Sequence, residues 1–163
     1  MKKTVISFLL LLAAAALLAS CGAKKSDFSM YDLSRAMQNA AVFGDMTYVS
    51  SEDADAEDLF AYVSDLDYGK VRSFFISYAT DGKGNADEIA VIALKDRNDA
   101  PEAVASLEAH LKKRVSLYQT YDPSQSDKVE KGMVFSDGDL AVLIVCDDND
   151  AVKTAFGKFI GNS

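Results

Sequence analysis

The sequence predicts an α+β fold: a four-stranded, mainly antiparallel sheet made of two hairpin–helix units (ββα-ββα), with two N-terminal helices. Three observations predict it. Apolar residues recur at helical spacing up to about residue 66 and then change to strand-like runs from Val71. Asp-Gly pairs at 81–82 and 137–138 separate two pairs of those runs, as hairpin turns do. Finally, Glu-Ile-Ala-Val-Ile-Ala-Leu-Lys-Asp-Arg-Asn-Asp-Ala at 88–100 is echoed by Asp-Leu-Ala-Val-Leu-Ile-Val-Cys-Asp-Asp-Asn-Asp-Ala at 139–151. In both copies an apolar strand runs into a helix start.

Taken in order, Leu33, Met37, Ala40 and Ala41 share one face of a first helix, with Asp32 as its cap. Residues 46–49 are a short extended piece. Ser50 or Ser51 caps a second helix, whose stripe is Leu59, Phe60, Val63 and Leu66. Glu52, Asp53, Asp55, Glu57 and Asp58 crowd its start, where carboxylates favour the helix dipole. Residues 71–79 and 88–95 form the first hairpin. Asp99 caps a long helix with Pro101 in its first turn and a seam of Val104, Leu107, Leu111, Val115 and Tyr118. Pro123 ends it, because the residue before proline disfavours helical backbone. Residues 124–131 hold a polar helical turn. The second hairpin is 132–136 with 140–146, and Asp150 caps a last helix carrying Val152, Ala155, Phe156, Phe159 and Ile160. Runs 88–95 and 140–146 are apolar on both sides of the pleat, so they read as central strands. The two long helices are expected on one face, and the two N-terminal helices on the other.

Ahead of this domain (residues 31–163) lies an export address. Lys2 and Lys3 precede an apolar stretch at 5–18 broken only by Ser7, and Leu-Ala-Ser-Cys follows at 18–21. The stretch is shorter than the ~20 apolar residues of a spanning helix. Residues 1–20 therefore read as a signal peptide, and residues 21–30 as a tether. Leu-Ala-Ser-Cys resembles the lipobox of bacterial lipoproteins. That resemblance implies cleavage between Ser20 and Cys21, a diacylglyceryl group on the Cys21 thiol, and residence at the outer face of the cytoplasmic membrane. Two acyl chains anchor stably where one does not.

Loss of residues 1–20 leaves 143 of the 163 residues and moves the formal charge from −8 to −10, since two lysines leave. So acidic a domain excludes nucleic acid as a partner. With Cys21 alkylated, Cys146 is the remaining thiol and no internal disulfide can form. Its apolar run makes it a buried hydrophobe. The one histidine, His110, lies at the edge of a helical seam and lacks a ligand or nucleophile set nearby in sequence.

Asp81, Asn85 and Asp87 place oxygens in a glycine loop, the chemistry of a calcium site. Lys83 occupies a ligand position of that pattern, so the simpler reading is a solvated hairpin loop. Asp147, Asp148, Asn149 and Asp150 read as capping groups. Lys112, Lys113 and Arg114 are a basic cluster on an acidic chain: either helix surface or a docking patch. No cofactor motif is present.

The residues Asp-Glu-Ile-Ala-Val at 87–91, Lys-Arg-Val at 113–115, Tyr-Asp-Pro at 121–123, Gly138-Asp139 and Asp147-Asp148, in that order and spacing, resemble the family called domain of unknown function 4358. The resemblance covers roughly residues 30–160. It implies a short extracytoplasmic lipoprotein and transfers no catalytic residues. Two functions are then expected. The first is a monomeric, non-enzymatic binding or accessory module for an envelope protein, peptide or glycan. The alternative is a small-ligand-binding or hydrolytic lipoprotein whose pocket is lined by carboxylates such as Asp87 and Glu88, or by Tyr118 and Tyr121.

Overall fold

The structure, a computed structural model, describes residues 28–80, 82 and 84–161. The expected signal peptide, Ser20 and Cys21, most of the expected tether, and Asp81 of the calcium candidates lie outside the described residues. Among the described residues the fold is α+β: one antiparallel sheet and five α-helices. In chain order these are α1 (Met30–Gln38), β1 (Met46–Ser50), α2 (Ala56–Phe60), β2 (Val71–Ala79), β3 (Glu88–Leu94), α3 (Ala100–Tyr121), α4 (Pro123–Glu130), β4 (Met133–Asp137), β5 (Leu140–Val145) and α5 (Asn149–Gly161). No helix among them is long and apolar enough to cross a membrane.

The sheet has five strands, not the expected four, in the order β1-β2-β3-β5-β4. The added strand is the short extended piece at 46–50, which pairs antiparallel with β2, Val49 opposite Ile76. Twenty residues separate β1 from β2, so no tight turn announces the pairing. The expected pair of N-terminal helices is corrected with it. β1 falls between them, and the second is only Ala56–Phe60. Phe60, Val63 and Leu66 are all buried as expected. Past Phe60, however, the chain leaves the helix because Ser64 bonds the amide of Leu66, and Ser106 takes the amide of Asp65. Such local side-chain bonds compete with helix continuation.

The helices also distribute differently from expectation. Phe74, Ile76, Ala90, Ile92, Leu143 and Val145 face α2, α3 and α4, whereas Phe75, Val91, Val142 and Ile144 face α1 and α5. The two long helices therefore lie on opposite faces. β3 and β4 both run antiparallel to β5, hence parallel to each other, so α3 and α4 form a crossover passing over β5. Such a crossover has a fixed hand and so a fixed face. With that face of β5 covered, α5 folds onto the other.

The echo nevertheless has a structural counterpart. β3 and β5 pair with Val91 opposite Val142, Ile89 opposite Ile144 and Ala93 opposite Leu140, a register symmetric about the two valines. Phe75 and Phe135 stand opposite Val91 and Val142 from the outer strands. Aromatic and β-branched neighbours in such a row each add roughly 0.2–1 kcal/mol. The symmetry stops at the helices.

Caps differ from the sequence reading by a few residues. Ser29, not Asp32, accepts from the first turn of α1. Asp148, not Asp150, accepts from Ala151 N. Asp96 caps a 3-10 turn that leads into α3, and the Asp99 side chain makes no cap bond. The β4–β5 loop is Gly138-Asp139, with Gly138 at φ 60°, the primed turn that takes glycine first.

Candidate functional site

Residues 85–88 lead into β3, and two helices close over them. From α3, three side chains at four-residue spacing descend onto this segment. His110 Nε2 lies 3.0 and 3.2 Å from the two carboxylate oxygens of Glu88. Arg114 contacts Glu88 Oε2 at 2.5 Å and donates to the carbonyl of Ala86 at 2.7 Å. The Tyr118 hydroxyl donates to the carbonyl of Asn85 at 3.4 Å, and its ring lies 5.3 Å from the Arg114 guanidinium carbon. Residues i, i+4 and i+8 share one helix face, which is why one helix reads three successive groups. A carboxylate only accepts, so the Glu88 contact places the hydrogen of His110 on Nε2.

Asp87 is served from the other helix. Lys128 of α4 reaches Asp87 Oδ1 at 2.9 Å and Asn85 Oδ1 at 3.1 Å, and Gln125 accepts from the amide of Ala86. Burial of the Lys128 ammonium opposes its charge, yet the bond to Asp87, and then Asp147, hold its pKa above the ordinary lysine value. Asp87 and Glu88 are both almost fully buried. A buried carboxylate persists as an ion only when paired, and each here has its own cation.

Glu88, His110 and Arg114 form the polar end of a cavity of about 460 Å³. Its other walls are Val49, Ile76 and Tyr78 from the sheet and Leu59, Tyr62 and Val63 from the α2 segment. Tyr62 is 78% exposed and Tyr78 37% exposed, so aromatic surface flanks an apolar interior. The wall from α2 is fastened to α3 by one hydroxyl. Ser106 Oγ lies 2.8 Å from Ser64 Oγ, accepts from the amide of Asp65 at 2.9 Å and donates to the Asp65 carboxylate at 2.5 Å. That last bond holds the Asp65 carboxyl below its usual range.

The sequence candidates are distributed unevenly around this site. Glu88 and His110 are brought together; Asp87 points to α4 instead. Arg114 turns inward, while Lys112 and Lys113 stay exposed, so the three do not share one surface. Asn85 and Asp87 already serve a cation, the Lys128 ammonium. Tyr118 stands over the 85–88 segment, and Tyr121 is exposed rather than lining the cavity. Cys146 is buried; loss of solvent pushes its pKa up to about 11, with Asp87, Asp147 and Asp148 nearby adding to the shift. Its amide and thiol both meet Asn149 Oδ1. Asp147 pairs with Lys128, and Asp150 is exposed. The cavity walls Val49, Tyr62, Ile76 and Tyr78 were not singled out from sequence. The i, i+4 spacing of His110 and Arg114 is the sequence signal that could have pointed to this face of α3.

Fold and site together define a pocketed α+β domain with one neutralised polar cluster at the end of an apolar cavity. The chain belongs to the family described as Domain of unknown function (DUF4358), whose sequence profile matches residues 44–146, from just before β1 to the end of β5. That span contains every residue of the cavity. No curated protein and no solved structure matches the chain.

Proposed function

We propose that this chain is an envelope lipoprotein, held at the outer face of the cytoplasmic membrane by lipid on Cys21, whose domain is a non-enzymatic binding module. Its ligand is a compact, uncharged group, a sugar unit or side chain of an envelope glycan or peptide, seated in the cavity between α2 and α3. The observation that carries the binding reading is the cavity itself: apolar walls with a few convergent polar groups, within the usual size of about 300–1,000 Å³. The preference for an uncharged ligand follows from Glu88, whose charge is already balanced by Arg114. A non-enzymatic role fits the same pairing, since a Glu88 that took up a proton would leave a buried guanidinium without its partner.

The tether fits this use. Phe28 and Met30 lie beside Ser50 and Ser73, toward the opposite end of the sheet from Tyr78 and Glu88. Five residues of β2 span roughly 17 Å, which holds the polar end of the cavity away from the anchored end.

Two measurements test the proposal separately. A palmitate analogue fed to expressing cells should label the protein, and Cys21→Ser should remove the label; a label that survives refutes the anchor. Amide shifts under titration with neutral wall glycans and peptides should concentrate at Leu59, Tyr62, Tyr78 and His110, and Leu59→Trp should abolish them by filling the cavity. Shifts absent from these residues would refute the binding site.

A further inference from the structure

The far margin of the sheet is built differently. β4 has β5 as its one strand neighbour. In a hairpin closed by the two-residue loop Gly138-Asp139, Asp137 and Leu140 form the hydrogen-bonded pair, and bonded pairs then alternate. Val134 and Ser136 therefore direct their backbone N–H and C=O groups out of the sheet. Natural sheets usually blunt such a margin with lysine, proline or a bulge within the strand. β4 reads Met-Val-Phe-Ser-Asp, without lysine or proline, and its register with β5 is unbroken. Both margin strands have a helix packed beside them, α2 at β1 and α3 at β4.

α3 and α5 rise on opposite faces to either side of β4, and the margin lies at the bottom of a trough of about 630 Å³. Its floor and near wall are apolar, with Leu111, Val134 and Phe135 among them, and Gly132 admits Leu111 so closely that a Cβ there would lie 2.8 Å from its methyl carbon. Lys112 stands on one rim and Lys153 on the other, the Lys153 ammonium 4.8 Å from the Phe135 ring centroid; Glu108 is the one acid of the lining. The trough is thus locally basic on a chain of net charge −8.

We propose that β4 accepts an extended segment of a partner protein as a sixth strand, and that this segment carries acidic residues on both of its faces among apolar ones. The outward groups of Val134 and Ser136 supply main-chain bonds, Val134 and Phe135 meet apolar side chains on the two faces of the segment, and Lys112 and Lys153 meet carboxylates, one on each face. The same lysines argue against a second copy of this chain, since symmetric pairing would bring like charges together. This surface is separate from the α2–α3 cavity and stands or falls independently of it.

The test uses the full chain in detergent micelles and fluorescent peptides of about ten residues in which pairs of valine or threonine alternate with pairs of aspartate, so that each face carries both, beside lysine-for-aspartate versions. The acidic peptide should bind and slow amide exchange at Val134 and Ser136. Ser136→Pro should weaken binding about tenfold or more with little change in melting, because the N–H it removes is outside the β4·β5 ladder. Should that variant unfold, Lys112→Glu with Lys153→Glu gives the same information, and should reverse the preference to the lysine peptide. No binding up to millimolar peptide, equal binding of both peptides, protection at β1 in place of Val134 and Ser136, or a dimer sealed through β4 would each overturn the proposal.

Discussion

Glu88 and Asp139 occupy matching places at opposite ends of the central β3·β5 pair, and both are bound to an arginine. Asp139 Oδ2 meets Arg72 at 2.6 Å, with both side chains a fifth to a quarter exposed. Glu88 meets Arg114 and His110 with 2% of its side chain exposed, at the end of a cavity. Arg72 comes from the bulge in β2, where Val71 and Ser73 shift register, and it also donates to the carbonyl of Leu94. Arg114 comes from a helix laid across the sheet. The same acid–arginine pair thus closes one end of the sheet as a surface staple and builds a buried polar cluster at the other. The difference lies in which element delivers the cation and how much solvent it excludes.

The sharpest way to break the comparison is to remove each arginine. Arg114→Met leaves the Glu88 charge buried with only His110 beside it, and should destabilise the fold by about 3 kcal/mol, near the low end of breaking a buried pair. Arg72→Met removes a partly exposed pair and should cost about 1 kcal/mol or less. Denaturant unfolding of both variants measures the gap. Equal losses would mean that burial does not distinguish the two ends.

Much of this architecture was legible in the sequence. Runs 88–95 and 140–146 were apolar on both sides of the pleat, and both strands are central with both faces covered. β1 was visible as an extended piece but not as a strand, since its partner lies twenty residues on and only pairing defines it. The sides taken by α3 and α5 were illegible because they follow from the crossover over β5, a property of strand order and not of any window of residues. At the site, Glu88 and Arg114 were noticed in the wrong company, Glu88 beside Asp87 and Arg114 beside Lys112 and Lys113, and His110 was noticed alone. Adjacent positions on a strand point to opposite faces, and adjacent positions on a helix diverge by about 100°, so sequence neighbours were poor guides to spatial ones.

A smaller effect sharpens the contrast through the cavity wall, which the Asp139 end lacks. Ser106→Ala removes the hydroxyl that joins Ser64 and Asp65 to α3, and should lower the melting temperature by about 3 °C at neutral pH. The Asp65 carboxyl is held below its usual range when folded. Its contribution is therefore complete above the unfolded value of about 4 and is lost as pH falls through the lowered folded value. The gap between parent and Ser106→Ala should shrink on acidification below about pH 4. A gap that stays constant with pH would show that the Ser106–Asp65 bond carries no charge-dependent stability.

The smallest perturbation reads how closed this end of the sheet is on its other face, that of α1 and α5, without altering the fold. Cys146 follows β5 one residue after Val145, the partner of Glu88, and its pKa stands at about 11 because the thiol is shielded from water. In a Cys21→Ser chain it is the one thiol. Only the thiolate reacts, so maleimide modification near pH 8 should run about 100-fold slower than that of free cysteine, and should recover in denaturant. The sign for stability is opposite to that of Asp65. The unfolded thiol ionises first, so the folded state loses ground as pH climbs from about 8.5 toward the folded value near 11. A Cys146 that reacts at the free rate in the native protein would show this end of the sheet open to water. The enclosure of this end would then come from α3 and α4 alone, and the contrast with the Arg72–Asp139 end would rest on that one face.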